Sequence, residues 1–133
     1  QQNRWQEKAT PPGTRNLHLA AAALNGKIYV ARDGFDQVYF DVYDPATDRW
    51  SSAAPLKTTL SAVPGLTAGP DRFLYATGIQ ANRGGASLAE RYDPQNNRWE
   101  TISNLNNQYH FGATAVYATG RIFTVCGLAG ASV

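Results

Sequence analysis

Tyr43-Asp44-Pro45-Ala46-Thr47-Asp48-Arg49-Trp50 and Tyr92-Asp93-Pro94-Gln95-Asn96-Asn97-Arg98-Trp99 share one pattern, Tyr-Asp-Pro, three variable residues, Arg-Trp, and start 49 residues apart. A third echo stands near the start, where Asn3-Arg4-Trp5 matches Asn97-Arg98-Trp99. Self-similarity at a period near 50 is the mark of a repeat architecture, and it outranks local signals. Two aromatics, an acid and an arginine could pass for a site. Their recurrence assigns them to architecture instead. Asp44 and Asp93 precede proline and are read as turn formers that cap backbone amides. Trp5, Trp50 and Trp99 are read as core anchors, with Tyr43 and Tyr92 beside them, because aromatic rings supply large buried area. Pro45 and Pro94 complete this structural set.

Working outward, each unit divides into four short strands. The first is a window of small residues, Leu17 to Leu24, Ser61 to Leu66 and Phe111 to Val116. Taken alone, the four consecutive alanines from Ala20 would suit a helix, but Pro64 and Gly65 in the second window would not. Strands suit all three. Asn25-Gly26 is the strongest two-residue hairpin signal, since both positions tolerate positive φ. Gly69-Pro70-Asp71 and Thr119-Gly120 are its counterparts. Second strands follow at Lys27 to Val30, Arg72 to Ala76 and Arg121 to Val125. Polar loops then run from Asp33 to Gln37 and from Gln80 to Ala86. Third strands cover Val38 to Tyr43 and Ser87 to Tyr92. Tryptophan strands near Arg49 to Ala53 and Arg98 to Ile102 close the units, and Asn3 to Glu7 reads as a preceding strand of the same kind. A four-stranded meander cannot cover both of its apolar faces alone, so neighbours must stack on it. Radial stacking of such blades gives a β-propeller, typically of 4–8 blades.

The ordered set of a small-residue strand, a hairpin, an Ile-Tyr-Val-type strand, Tyr-Asp-Pro and a tryptophan resembles the kelch repeat. Arg15-Asn16-Leu17-His18 also resembles the Arg-X-X-His that opens such units. The spacing from the second-strand tyrosine to the tryptophan is 21 residues in Tyr29 to Trp50 and 24 in Tyr75 to Trp99, the difference falling in the loop. The resemblance implies an all-β, kelch-type propeller of four-stranded antiparallel blades. It allots 3–7 to an outer strand of a preceding blade, 17–53 to a first repeat, 60–102 to a second, and 110–133 to the first half of a third. The Gly-Gly pair of such repeats is replaced by Arg32-Asp33, Gly78-Ile79 and Cys126-Gly127. Two and a half units cannot close a ring. The expectation is a partial set of blades, the remainder supplied by a longer parent chain or by other copies.

Composition narrows the function classes. A formal charge of +2, from nine arginines and three lysines without a cluster, gives no stripe for nucleic acid. No apolar run approaches a membrane span. Cys126 is the single cysteine, which excludes an intrachain disulfide or a cysteine-based zinc site. Its place beside a buried-type strand suits a small core hydrophobe. His18 and His110 are the only histidines, at matching stations of separate units and without an acidic ligand cluster, so no metal is assigned. Asp33, Asp36 and Asp41 lack the order of a calcium loop. No serine elbow, phosphate loop or His-Glu-X-X-His occurs. No cofactor is assigned, and the balance is against catalysis.

In kelch-like rings, loops after the second strand and before the first meet at one rim. By that resemblance the binding candidates are Arg15, Asn16, His18, Arg32, Asp33, Lys57, Thr58, Gln80, Asn82, Arg83, Gln108, Tyr109 and His110, with Phe35, Thr59 and Asn107 alongside. Exposed loop residues of these types suit polar recognition. The reading is a non-enzymatic binding scaffold for a protein segment or a glycan. The alternatives are part of a sugar-acting propeller enzyme (mutarotase-like, or less favoured a copper-radical oxidase) and a structural repeat in a larger assembly. Fold alone does not choose among them. Few cysteines and lysines, with abundant Asn, Gly, Ala and Thr, lean towards a secreted or bacterial extracytoplasmic setting.

Overall fold

Asn25 and Gly26 both take positive φ, 52° and 75°, the geometry of a tight hairpin turn. They join β1 (Leu19–Leu24) to β2 (Lys27–Asp33). Thr119 and Gly120, at 49° and 78°, repeat the turn in a later hairpin. The computed structural model describes residues 4–13, 19–33, 38–57, 64–80, 87–104, 109–110, 114–125 and 128–129; of residues 33, 80, 87, 109, 110, 114, 128 and 129 it describes the backbone alone.

Blade 1 is completed by β3 (Val38–Asp44) and β4 (Arg49–Ser52), giving an antiparallel sheet ordered β1-β2-β3-β4. Blade 2 repeats it with β5 (Gly65–Ala68), β6 (Leu74–Gln80), β7 (Ser87–Asp93) and β8 (Arg98–Asn104). A third unit contributes β9 (Tyr109–His110) and β10 (Thr114–Ala118), which pair with β12 (Leu128–Ala129) and β11 (Arg121–Val125) respectively. Among the described residues there is no helix. The alanine-rich window is strand in β1, where tertiary packing overrides helix propensity.

The small first strands explain the arrangement of the units. β5 lies against β1 on one side and β10 on the other, so the first strands stand side by side. Alanine and glycine permit that close approach. Radiating outward, the facing sides of blades 1 and 2 hold an aromatic core. Phe40 meets Tyr92 and Trp99 edge-on with centroids 4.9 Å apart in each pair, and Tyr29 stacks on Phe40 at 5.8 Å. Tyr29, Phe40, Tyr92 and Trp99 are all buried. Such pairs contribute about 0.5–1.5 kcal/mol each beyond their buried area.

The Tyr-Asp-Pro turns form one outer joint twice over. Asp44 Oδ1 accepts the Ala46 amide at 2.9 Å, and Asp93 Oδ1 accepts that of Gln95 at 2.9 Å. Asp48 and Asn97 take positive φ, 53° and 47°, at the end of each turn. The Tyr43 hydroxyl donates to Asp48 Oδ1 at 2.6 Å, and Tyr92 donates to Asn97 Oδ1 at 2.7 Å. The same two side chains accept a backbone amide from the preceding connector, Ala9 at 3.0 Å and Ala54 at 2.8 Å. Trp50 and Trp99 Nε1 then donate to the carbonyls of those same residues, at 2.7 and 2.9 Å. Each blade thus clamps both polar groups of one connector residue, four places after the tryptophan of the unit before.

Three sequence expectations differ in detail. Residues 4–8 form no strand and Trp5 is fully exposed, because no described strand lies alongside to bury it. Asp33 and Gln80 end β2 and β6 rather than opening the loops, since the ladders run on to Asp33↔Val38 and Gln80↔Ser87. The glycine-pair station splits the two blades. Gly78 takes φ of +79° and the β6–β7 ladder bulges there, whereas Arg32 pairs regularly with Tyr39 and blade 1 runs straight.

Candidate binding rim

Antiparallel order sends the ends of β2 and β6, and the starts of β3 and β7, to one edge of the sheets, opposite the Tyr-Asp-Pro turns. The loop 34–37 follows Asp33 on that edge, and the loop 81–86 follows Gln80. Tyr109 and His110, paired with Ala129 and Leu128, stand at the corresponding edge of the third unit. The register therefore brings Asp33, Gln80, Tyr109 and His110 to one rim. Arg15, Asn16, His18, Thr58, Asn82, Arg83 and Gln108 lie outside the described residues, as do Phe35, Thr59, Asn107 and Cys126.

Two rim candidates have described side chains. Lys57 is exposed, and its backbone amide donates to Glu90 Oε2 at 3.1 Å in the cleft between blades 1 and 2. Arg32 is buried, at 9% exposure. Its Nε donates to Asp41 Oδ2 at 2.5 Å, and its guanidinium lies 4.4 Å over the Tyr39 ring. Asp41 also accepts from the Ser52 hydroxyl at 3.3 Å. A Cβ built on Gly13, whose φ is +95°, would sit 2.9 Å from Arg32 Nη1. The left-handed φ favours glycine there, and without a Cβ the connector passes close over the guanidinium. Arg32 therefore stands beneath the rim, fastening the last pairs of the β2–β3 hairpin.

Sequence reading considered Asp41 only for a calcium loop and did not single out Glu90, so the buried role of both was missed. They occupy one station, two residues before the tyrosine of each turn motif, and are 1% and 0% exposed. The available signal was that recurrence, an acid on the strand face that also carries Tyr43 or Tyr92. Among the described residues no group of three or more His, Cys, Asp or Glu is placed to hold a metal ion.

Away from the rim, Arg91 pairs with Glu100 and covers the Phe73 ring at 4.5 Å. With Asp93 and Arg98 these residues line a small cleft on the outer part of blade 2. The turn tyrosines resist ionisation near neutrality. Tyr43 is pushed up to about 12 by its hydrogen bond to Asp48, and Tyr92 to about 12 chiefly by burial. Asp48 is held below the usual carboxylate range, first by the Ala9 amide and then by the Tyr43 hydroxyl.

No family profile matches the chain. Among curated proteins it is 31% identical to Kelch-like protein 25 of Xenopus tropicalis over 85 residues, 64% of this chain and 14% of that protein. It is 29% identical to an F-box/kelch-repeat protein of Arabidopsis thaliana over 109 residues, 77% of this chain and 27% of that protein. The chain thus spans 14% and 27% of the lengths of these two relatives. Both likenesses are to kelch-repeat proteins. Together with the four-stranded antiparallel sheets, they identify the fold as kelch-type propeller blades.

Proposed function

We propose that the chain is a non-catalytic binding scaffold that recognises a protein segment through the loops of one rim. The observation that supports this reading is the division of labour between the two edges of each blade. At the Tyr-Asp-Pro edge the same hydrogen bonds recur in both blades, residue for residue. At the rim edge the blades differ in ladder, loop length and residue type. A repeat that holds its joints constant while its loops vary is suited to presenting a particular surface. The likeness to kelch-repeat proteins of two kingdoms agrees with an interaction role.

Residue chemistry suggests the kind of segment. Arg15, Lys57 and Arg83 offer positive charge, and Asn16, Gln80, Asn82 and Gln108 offer amides that both donate and accept. That set fits an extended segment with carboxylate side chains, its backbone met by the amides and its acids by the guanidinium groups. Arg32, buried against Asp41, serves by holding the hairpin that presents loop 34–37.

Selection of peptides from a random display library on the intact chain tests the proposal. Enriched peptides should be acidic. Arg15→Ala and Arg83→Ala should each weaken them about tenfold without moving the melting temperature. Arg98→Ala, on the outer edge, should leave binding unchanged. Failure to enrich any peptide, or peptides indifferent to both rim substitutions, would overturn the rim assignment.

A further inference from the structure

Among the described residues two asparagines hold a left-handed backbone, Asn25 at φ of 52° and Asn97 at 47°. Their chemical situations are opposite. The side-chain oxygen of Asn97 accepts from the Tyr92 hydroxyl and the Ala54 amide, at 2.7 and 2.8 Å, and arginine follows it. Asn25 is exposed on the turn between β1 and β2, and glycine follows it. It makes the single Asn-Gly step of the chain. Leu24↔Lys27 is the last pair of the hairpin ladder, so the Gly26 amide lies outside it. A Cβ built on Gly26 would meet no atom within 4 Å, so the turn is open around that residue.

The turn itself does not demand asparagine. Thr119-Gly120 makes the equivalent turn of the β10–β11 hairpin, at φ of 49° and 78°. What asparagine adds is a labile carboxamide, within ring-closing reach of the next amide nitrogen. Glycine, lacking a Cβ, leaves that nitrogen unshielded. We propose that Asn25-Gly26 is a site of spontaneous isoaspartate formation, and that this modification loosens the β1–β2 hairpin of the folded chain. The Gly26 nitrogen gives up its proton to hydroxide and attacks Asn25 Cγ. The new C–N bond closes a succinimide as the carboxamide C–N bond breaks, and the leaving nitrogen takes a proton and departs as ammonia. Water then opens the ring at either carbonyl. The net change is one water taken up and one ammonia lost, with nothing oxidised or reduced. Opening at Cγ leaves aspartate in the original main chain, and Asp-Gly suits the same turn. Opening at the main-chain carbonyl routes the backbone through the side chain and adds a methylene to a two-residue loop. Such loops match the twist of their strands only at their own length. The Leu24↔Lys27 pair meets the added length first, and β1 is the strand that stands against β5. The turn lies at the Tyr-Asp-Pro edge, so this inference is independent of what the rim binds.

Ageing of the intact chain in warm, mildly alkaline buffer tests it, read by hydrogen exchange and by peptide mapping that separates aspartate from isoaspartate. Asn25 should convert ahead of every other asparagine, with Asn97 retained and one ammonia released per converted chain. The isoaspartyl fraction should lose exchange protection in the β1–β2 ladder beside the turn, while the aspartyl fraction keeps it. Asn25→Thr, which copies the Thr119 turn, should abolish the conversion and the loss of protection together. An Asn25 that persists as long as Asn97 overturns the proposal. So does conversion that requires denaturant, since the folded hairpin would then protect the site. Equal protection in the isoaspartyl and unaged chains would equally overturn it.

Discussion

Blades 1 and 2 bury an acid at the same station and satisfy it in different ways. In blade 2, Glu90 reaches the backbone amide of Lys57 on the passing connector. The equivalent connector residue in blade 1, seven places after its tryptophan, is Pro12, which has no amide hydrogen to give. There the acid is aspartate, one methylene shorter, and it turns back to Arg32 of its own sheet. Arg32 in turn stands where blade 2 has Gly78, so blade 1 gives up the bulge for a straight ladder. Three substitutions, Lys57 to Pro12, Glu90 to Asp41 and Gly78 to Arg32, make one physical adjustment. A buried carboxylate needs a donor, and the blade that loses it from the connector gains it from the strand.

The largest break in that comparison is Arg32→Gly, which gives blade 1 the glycine of blade 2 without the Lys57 amide. Asp41 would be left buried and short of its cationic partner, at a cost of about 3–5 kcal/mol in denaturant unfolding. Combining Arg32→Leu with Asp41→Val should recover most of that loss, since an apolar pair of similar volume needs no donor. A single substitution with little effect would mean the ion pair does not satisfy Asp41.

A smaller effect comes from the opposite exchange at Gly78. Its φ of +79° is costly for any residue with a Cβ, so Gly78→Ala should destabilise by about 1–2 kcal/mol in the same assay. Ala31→Gly, beside the straight ladder of blade 1, provides the contrast. If Gly78→Ala costs nothing, the bulge is not held by backbone conformation.

The smallest effect is confined to the outer joints, where blade 1 uses Asp48 and blade 2 uses Asn97. Asp48 has a lowered folded value, so its contribution is complete above the unfolded carboxylate value and is lost as pH falls through the lower folded one. Asn97 does not titrate. On acidification below about pH 4, hydrogen-exchange protection of the Ala9 amide should fall before that of Ala54, and Asp48→Asn should remove the difference. Equal loss at both amides would show that the acid sensitivity lies elsewhere.

How much was legible in the sequence follows from the range of the interactions. The Tyr-Asp-Pro turns and the Asn25-Gly26 hairpin are local chemistry, complete within a few residues, so blade order could be read directly. The clamps join Ala9 to Asp48 and Ala54 to Asn97 across 39 and 43 residues, and no window spans them. The hint was present all the same, since both repeats carry Asp or Asn immediately before Arg-Trp. Trp5 shows the limit of motif reading. The residue matches Trp50 and Trp99 in sequence, yet it is exposed, because burial depends on neighbouring strands that the motif does not contain. For the rim, residue types could be read, but loops 34–37 and 81–86 follow no repeating constraint from which a shape could be derived. Arg32 was singled out by the missing glycine, while its partner Asp41 emerged only when β2 and β3 were laid side by side.

The doubled attachment of blade 2 has a consequence for precision. Its first strand touches β1, and its outer edge grips Ala54 through Asn97 of the last turn and Trp99 of β8. Three strand spacings separate these points, a lever of about 14 Å. A slip of 1 Å at the clamp would therefore rotate the blade by only about 4°. The clamp takes hold of main-chain atoms, so the connector side chain can change without altering that angle. Angular accuracy is thus stored at the circumference, in a joint indifferent to the connector's side chain, and the inner loops inherit it.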